Sequence, residues 1–526
     1  MSAVAPELSG AGWFSLGDVL TGHAAARPDE IALVCGPDRL SWRALDRRVG
    51  ALADTLAARG VARGDRVLWL GQNCHRLLEA LFAAARLGAV LCPVNWRQSA
   101  EELRFALADA EPAVVLWQAE EIGDTVASAR SAPGQVDGRV QHWIQHDDPG
   151  EHGYEALLAG QLATGPRGTR APSGPVDPGQ PVLMLYTAAF DGRPSGALLS
   201  QTALLAQTTT LRLLEGVGAD EVFLNSGPLF HIGTLRRTLA VAHAGGRNVM
   251  LRRVVPAELC RLVEAERCTS AFLQRPTMEQ LVEHNHDGRH DLSSLRTPPG
   301  PPGWDEMVTV VQGGRVRSGY GQTELAGVVT FSLPERPTIG GLPGPLAAVE
   351  VLDPDGHPVG AGQTGEIAVR GPMVMNGYHR RPELSAAKRR HGWHHTGDLG
   401  RREADGSISF VGPLRKMIKS AAENVYPAEV EAALRRHPGV SGAAVIGVPD
   451  ATWGQRVLAV VVPAPGLAAE PDALVQALVE HCRGQLAGYR RPRLFELVDQ
   501  LPTRGGGVDY DALDAQFGGG GYPGDR

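Results

Sequence analysis

Residues 65–95 read DRVLWLGQNCHRLLEALFAAARLGAVLCPVN, and three segments of different periodicity lie inside them. DRVLWLG (65–71) is an apolar run of strand length. CHRLLEALFAAARLG (74–88) repeats its apolar residues every three or four positions and closes on glycine. AVLCPVN (89–95) is a second strand-length run. Apolar runs without alternation suit strands covered on both faces, so this stretch predicts a βαβ unit in a largely parallel sheet.

The same α/β rhythm covers residues 31–130 and resumes from 201 to about 320. Between them GPRGTRAPSGPVDPGQP (165–181) reads as an exposed linker before the strand VLMLY (182–186). From 340 to 411 the texture changes to short strands such as GEIAVRG and SISFVG between glycine turns, a small β-rich unit. From 417 onward the helix PAEVEAALRRH (427–437) and the strands GAAVIGV and VLAVVVP predict a further α/β segment, and the tail FGGGGYPGDR (517–526) is expected to be disordered.

A chain of 526 residues with 43% hydrophobic and 21% charged residues describes a soluble globular protein of more than one domain. A net charge of −7 argues against a nucleic-acid reader. The six cysteines are scattered without a CxxC pair or metal-ligand spacing, which predicts reduced thiols and a cytoplasmic protein. MSAVAPELSGAGW lacks the regions of a signal peptide, and no run of 18 apolar residues predicts a membrane span. Among 51 basic residues only Lys388, Lys416 and Lys419 are lysines.

Six further stretches occur in order: PLFHIG (228–233), SGYGQTELAG (318–327), GEIAVRGPMVMNGY (365–378), WHHTGDLG (393–400), MIKSAAENVYPAEVEAAL (417–434) and VIGVPDATWGQ (445–455). With them the chain resembles the adenylate-forming superfamily of acyl- and aryl-CoA synthetases, luciferases and peptide-synthetase adenylation domains, from about residue 15 to about residue 515. The resemblance implies an α/β fold with a large N-terminal acyl-adenylate-binding domain (1–415) that includes the β-rich unit. A small mobile α+β C-terminal domain (416–526) follows, with the hinge at Lys416. Family members first join a carboxylate to the α-phosphate of ATP, and then a thiol such as CoA displaces AMP.

By that resemblance Thr323 bonds the α-phosphate, Glu324 holds Mg²⁺ where the metal is used, Tyr320 lies against adenine and Asp398 accepts from the ribose hydroxyls. A hydroxyl, a hard oxygen ligand and an aromatic face suit a nucleotide monophosphate. His231 borders the acyl carboxylate, with Gly233, Arg315, Ala326 and Gly327 as further candidates for the acyl pocket; the small residues among them hint at a bulky apolar acid. Lys419 faces either a phosphate or solvent. Ala421 and Ala422 replace the glycine pair past which pantetheine approaches, and TPPGPPGW (297–304) alters the adenine side.

Two departures fall on one half-reaction. YTAAFDGRPSGALLS (186–200) has the frame of the family's phosphate loop, T-[SG]-G-[ST]-T-G-x-P-K-G, beginning at Thr187, but Phe190 and Asp191 replace glycine and hydroxyl residues and Ser195 replaces the lysine. A phosphate cradle needs converging N–H groups and positive charge. The family's terminal LP-x-x-x-x-GK becomes LPTRGGGVDYDAL (501–513), with Gly507 or a gap at the lysine and Arg504 as the cation in reach. The leading reading is therefore an acyl-CoA ligase specialised for thioesterification, taking acyl-AMP and CoA to acyl-CoA and AMP. A separate enzyme would supply the adenylate, as in specialised, natural-product metabolism, and ATP use is doubtful. The alternatives are a complete ATP-dependent acyl-CoA synthetase and a non-catalytic acyl-AMP-binding pseudoenzyme.

Overall fold

The computed structural model describes residues 13–131, 140, 142–163, 176–187, 193–311, 317–414, 416–420, 423–464, 471–504 and 507–523. The expected βαβ unit lies at the centre of the larger domain. Strand Arg66–Leu70 pairs in parallel with Val90–Pro93, and helix His75–Leu87 crosses between them. That helix stops because Gly88 takes a left-handed turn (φ 68°) and returns its N–H to Ala84 O. The sheet has seven strands in the order Gly377–Tyr378, Ser195–Ser200, Pro181–Thr187, Val90–Pro93, Arg66–Leu70, Val114–Trp117 and His142–Gln145. Trp69, Leu91, Val114 and Leu183 fill one face together with Leu81 and Phe82 of the crossing helix.

A second sheet, largely parallel, runs Ser270–Ala271, Val222–Asn225, Arg247–Met250, Ile31–Cys35 and Asp38–Ser41. Helices Gln201–Glu215 and Ile232–Ala244 pack against each other nearby. Ser200 caps the first of them, its hydroxyl accepting Ala203 N–H at 3.0 Å. The expected β-rich unit is an antiparallel sheet built on Ala348–Leu352, Thr364–Arg370 and Trp393–Arg402, edged by Arg389–Arg390 and Ile408–Pro413.

In the small domain the hairpin strands Val440–Asp450 and Gly454–Pro463 pair with Ile418–Ser420 and Leu494–Leu497. Helices Pro427–Leu434 and Pro471–Gln485 cover one face through Val430, Leu434, Leu474 and Leu478, and Tyr510–Phe517 covers the other through Leu513. Among the described residues no helix is long and apolar enough to cross a membrane.

Of the linker at 165–181, residues 165–175 lie outside the described set; Gly179 and Gln180 are exposed, and Gly179 O accepts a hydrogen bond from Asn376 Nδ2 at 2.8 Å. One expectation changes. The tail, expected to be disordered, is docked as far as it is described. Tyr522 is 6% exposed, its hydroxyl accepts Gly447 N–H at 3.0 Å and donates to Asp514 Oδ1 at 2.7 Å. Gly520 N–H reaches Gly447 O at 2.9 Å, and Gln455 Nε2 reaches Gly520 O at 2.6 Å. The glycines permit this path because Gly518 (φ 72°) and Gly521 (φ 71°) are left-handed. Lys416 is gripped by the same segment, with Nζ 2.7 Å from Asp511 Oδ1, 2.5 Å from Asp514 Oδ2 and 5.3 Å from the Tyr522 ring centre.

Tyr522→Ala should destabilise the small domain by about 3–5 kcal/mol through loss of a buried aromatic ring. Tyr522→Phe should cost about 1–3 kcal/mol by stranding the Gly447 N–H. Urea unfolding followed by tryptophan fluorescence measures both, and equal midpoints for all three proteins would contradict the docked tail.

Candidate functional site

The stretch SGYGQTELAG forms a tight hairpin in which Gly321 pairs with Val328 and Gln322 with Gly327. A Cβ on Gly321 would overlap the Gly327 backbone, so glycine is required there. A single 3₁₀ turn, Thr323–Leu325, closes the hairpin, and Ala326 follows at φ 54°. That turn buries Glu324, whose Oε1 accepts the Tyr378 hydroxyl at 2.8 Å. Thr323 beside it is half-buried.

Strand Trp393–Arg402 carries Asp398 to the same place from the β-rich unit. Tyr320 donates its hydroxyl to Asp398 Oδ2 at 2.6 Å, and Gln322 Nε2 donates to the Tyr320 oxygen at 2.7 Å. The Tyr320 ring stacks on Phe410 with centroids 5.9 Å apart. Burial raises the Asp398 carboxyl to about 6, against the pull of the Tyr320 hydrogen bond and with help from the Glu324 charge.

Lys388, at the end of helix Pro382–Lys388, was not singled out for this site from the sequence. Its Nζ donates to Thr396 O at 3.1 Å. Burial lowers its pKa while the charges of Glu324, Glu366 and Asp398 hold it up. The available signal was rarity: it is one of three lysines, ten residues before Asp398.

His231 stands just before helix Ile232–Ala244. It is no core histidine: its side chain is 46% exposed, and Nε2 lies 3.0 Å from Glu423 Oε2 of the small domain. Burial pushes the Glu423 carboxyl up, but the His231 bond and the charges of His231, Arg97 and Arg490 bring it below the ordinary range. Tyr426, three residues on, feels the charges of Asp398 and Glu324, which add to the upward push of its burial. Small-domain residues thus reach both His231 and the group around Asp398. Ala326 and Gly327 are buried, with the Arg236 stem against Gly327, and Gly233 faces open space.

Other candidates are placed elsewhere. Lys419 is exposed, its N–H bonded to Gln455 Oε1 at 2.7 Å. Thr187 and Ser195 face each other across a strand pair, Thr187 Oγ1 donating to Ser195 O at 3.2 Å, and Ser195 is buried. Gly507 lies in the short hairpin of Thr503–Arg504 with Gly507–Val508, and Val508 packs against the core between the small sheet and helix Tyr510–Phe517. Phe190, Asp191, Arg315, Ala421 and Ala422 fall outside the described residues.

Sequence reading also passed over a cavity of about 390 Å³ on the small domain, lined by Trp453, Tyr489, Arg483, Arg491 and Arg493. The Arg493 guanidinium lies 4.2 Å from the Trp453 ring centre. Tyr489 adjoins Glu423, whose charge reaches its phenol. The run YRRPR (489–493) was its signal.

Comparison with known proteins agrees with this layout. The AMP-binding enzyme family matches residues 20–379, and the AMP-binding enzyme C-terminal domain matches 429–507. A feruloyl-CoA synthase of an Amycolatopsis species is 37% identical, covering 92% of this chain and 95% of its own. An indoleacetate–CoA ligase of Aromatoleum aromaticum is 34% identical, covering 91% and 93%. Among solved structures, the amide bond synthetase McbA of Marinactinospora thermotolerans superposes with a TM-score of 0.78 at 27% identity, covering 96% of this chain and 100% of its own.

Asp398 yields a pH prediction. Between the ordinary 3.8 and about 6 the folded protein keeps a proton that the unfolded chain has released, so this group's contribution to stability falls as pH rises through that window. Asp398→Asn should flatten the fall in melting temperature of the ligand-free protein between about pH 4 and about pH 7. Identical pH profiles for variant and wild type would show that Asp398 ionises normally.

Proposed function

The chain belongs to the AMP-binding enzyme family, and on that premise we propose that it is an acyl-CoA ligase specialised for thiol transfer, converting acyl-AMP and CoA to acyl-CoA and AMP. The observation that carries the reading is the Glu423–His231 hydrogen bond, which brings the small domain onto the residue that would border the acyl carboxylate. The segment bearing Gly507, at the place of the family's adenylation lysine, packs instead within the small domain. The division into residues 1–415 and 416–526, with Lys416 as hinge, belongs to the same proposal.

The roles follow from position. Tyr320, Gln322 and Asp398 form one hydrogen-bonded group, in which an ionised Asp398 would accept from the ribose hydroxyls. Thr323 would bond the phosphate. Mg²⁺ fits as a metal brought in by phosphate: among the described residues there is no cluster of three potential ligands, and Glu324 offers a single hard carboxylate beside the nucleotide residues. Lys388, Glu366 and Glu324 set the charge around them.

The cavity on the small domain suits the nucleotide end of CoA: Trp453 and Tyr489 offer aromatic faces to adenine, and Arg483, Arg491 and Arg493 offer donors to its phosphates. With the thiol at the His231–Glu423 pair, sulfur attacks the acyl carbonyl carbon. The carbon–sulfur bond forms, the carbon–oxygen bond to phosphate breaks, and AMP leaves with the electron pair. The thiol proton passes to the His231–Glu423 pair. AMP is a good leaving group, so the step rests mainly on positioning.

A second reading, the complete ATP-dependent synthetase, is favoured by the similarity to proteins named as CoA synthases and ligases over more than nine-tenths of the chain. One assay separates the two. The enzyme receives synthetic aryl-adenylate with CoA in one arm, and the free acid with ATP, Mg²⁺ and CoA in the other. Product in the first arm alone is expected. Comparable rates in both arms would establish the complete synthetase and remove any need for a separate adenylating enzyme.

Arg491→Ala combined with Arg493→Ala should raise KM for CoA about tenfold or more, the cost of losing charge-assisted hydrogen bonds, and leave KM for acyl-AMP unchanged. Steady-state kinetics with each substrate varied reads both constants. Equal KM values for CoA in variant and wild type would move the CoA nucleotide elsewhere.

A further inference from the structure

Gln207 lies in the middle of helix Gln201–Glu215 and is 0% exposed. Both of its amide atoms, Oε1 and Nε2, are buried with no hydrogen-bond partner among the described residues. One turn on, the buried Thr210 hydroxyl is in the same condition. A buried amide left unsatisfied costs about 1–3 kcal/mol, and buried side-chain polar atoms rarely go without a partner. A polar group from outside the chain, a water or a ligand atom, would satisfy it.

The position of Gln207 says what that is. Gly327 ends the GYGQTELAG hairpin with φ 136°, and a Cβ on it would stand 2.8 Å from Arg236 Cδ and 3.0 Å from Gln207 Cδ. The amide, the arginine stem and the bare Gly327 backbone therefore meet at one point. Arg236 shares a face of helix Ile232–Ala244 with Gly233, three residues earlier, where a Cβ would find only open space. The face that Gly233 and Arg236 share thus ends at Gln207. The Arg236 guanidinium is paired with the Glu215 carboxylate at 3.8 Å, and sets a largely buried positive charge beside the amide.

We infer that the acyl group carries a hydrogen-bonding oxygen, a hydroxyl foremost, at the end remote from its carboxyl, and that Gln207 reads it. The amide offers both donor and acceptor, which a hydroxyl matches, and Arg236 biases the site toward an oxygen acceptor. This deepens the acyl-CoA ligase reading on which it rests. It also revises the apolar acid suggested by the small residues of the pocket: the walls are open, but the far end is polar.

The test uses acyl-sulfamoyl adenosine analogues of benzoate, phenylacetate and cinnamate, each unsubstituted and with a hydroxyl at the ring position farthest from the carboxyl. Their dissociation constants are measured by calorimetry on the full chain, and kcat/KM is measured for the matching acyl-adenylates with CoA. For at least one pair the hydroxylated member should be preferred by about 100-fold or more, as when a site built to bond a hydroxyl meets the analogue lacking it. Gln207→Met keeps the volume and removes the hydrogen bonds, so it should bring that ratio close to unity while binding the unsubstituted member as well as wild type does. Equal affinities within every pair on wild type would overturn the inference, as would a ratio that survives in a folded Gln207→Met protein. Discrimination in binding without turnover would sink the thiol-transfer reading and leave the inference standing. Binding of no analogue would sink both.

Discussion

Arg490 has to be paired, and much of the site follows from how. It is 9% exposed at the seam between the domains, 2.6 Å from Glu102 of the large domain and 3.4 Å from Glu429 of the small one. A buried guanidinium stripped of either partner is strongly destabilising, whereas the assembled group is tolerable. Ser99 supports it by donating to Gln485 O at 3.1 Å, and Arg97 lies 3.4 Å from Glu423. Fixing the small domain along this seam brings Glu423 onto His231 and Tyr426 toward Asp398, and leaves the arginine-lined cavity at the same edge.

The two regions of the proposed site have opposite electrostatic character. Around Tyr320 and Thr323, Glu324, Glu366 and Asp398 lie close to Lys388, and Asp398 holds its proton into the mildly acid range. The small-domain cavity is rich in arginine. In the proposed reaction an anionic CoA is drawn to the second region, while the adenylate is held in the first by directional bonds to ribose and phosphate more than by net charge.

What could be read from the sequence was what depends on local pattern. The βαβ unit at 65–95 was legible because both strands are buried on two faces and the helix between them keeps its period to Gly88. Tyr320, Thr323, Glu324 and Asp398 were legible as motif residues, although the bond that joins Tyr320 to Asp398 spans 78 positions. The Glu423–His231 contact spans 192 positions and depends on domain orientation, which no local pattern encodes. Lys388 was hidden in a basic run, AAKRR, of the kind that usually marks a solvated face. Gln207 was hidden because a glutamine in a helix is ordinarily a surface residue; only burial without a partner makes it informative.

The docked tail changes how a glycine-rich stretch should be handled. Trimming FGGGGYP as a dispensable linker would take away the hydroxyl that satisfies Gly447 and the ring that flanks Lys416, leaving Asp511 and Asp514 to hold that lysine. Low sequence complexity here accompanies a backbone path that takes left-handed angles at Gly518 and Gly521 and leaves no room for a Cβ at Gly519. Within that stretch Tyr522 ties the chain's last described turn to Lys416, Gly447 and Asp514.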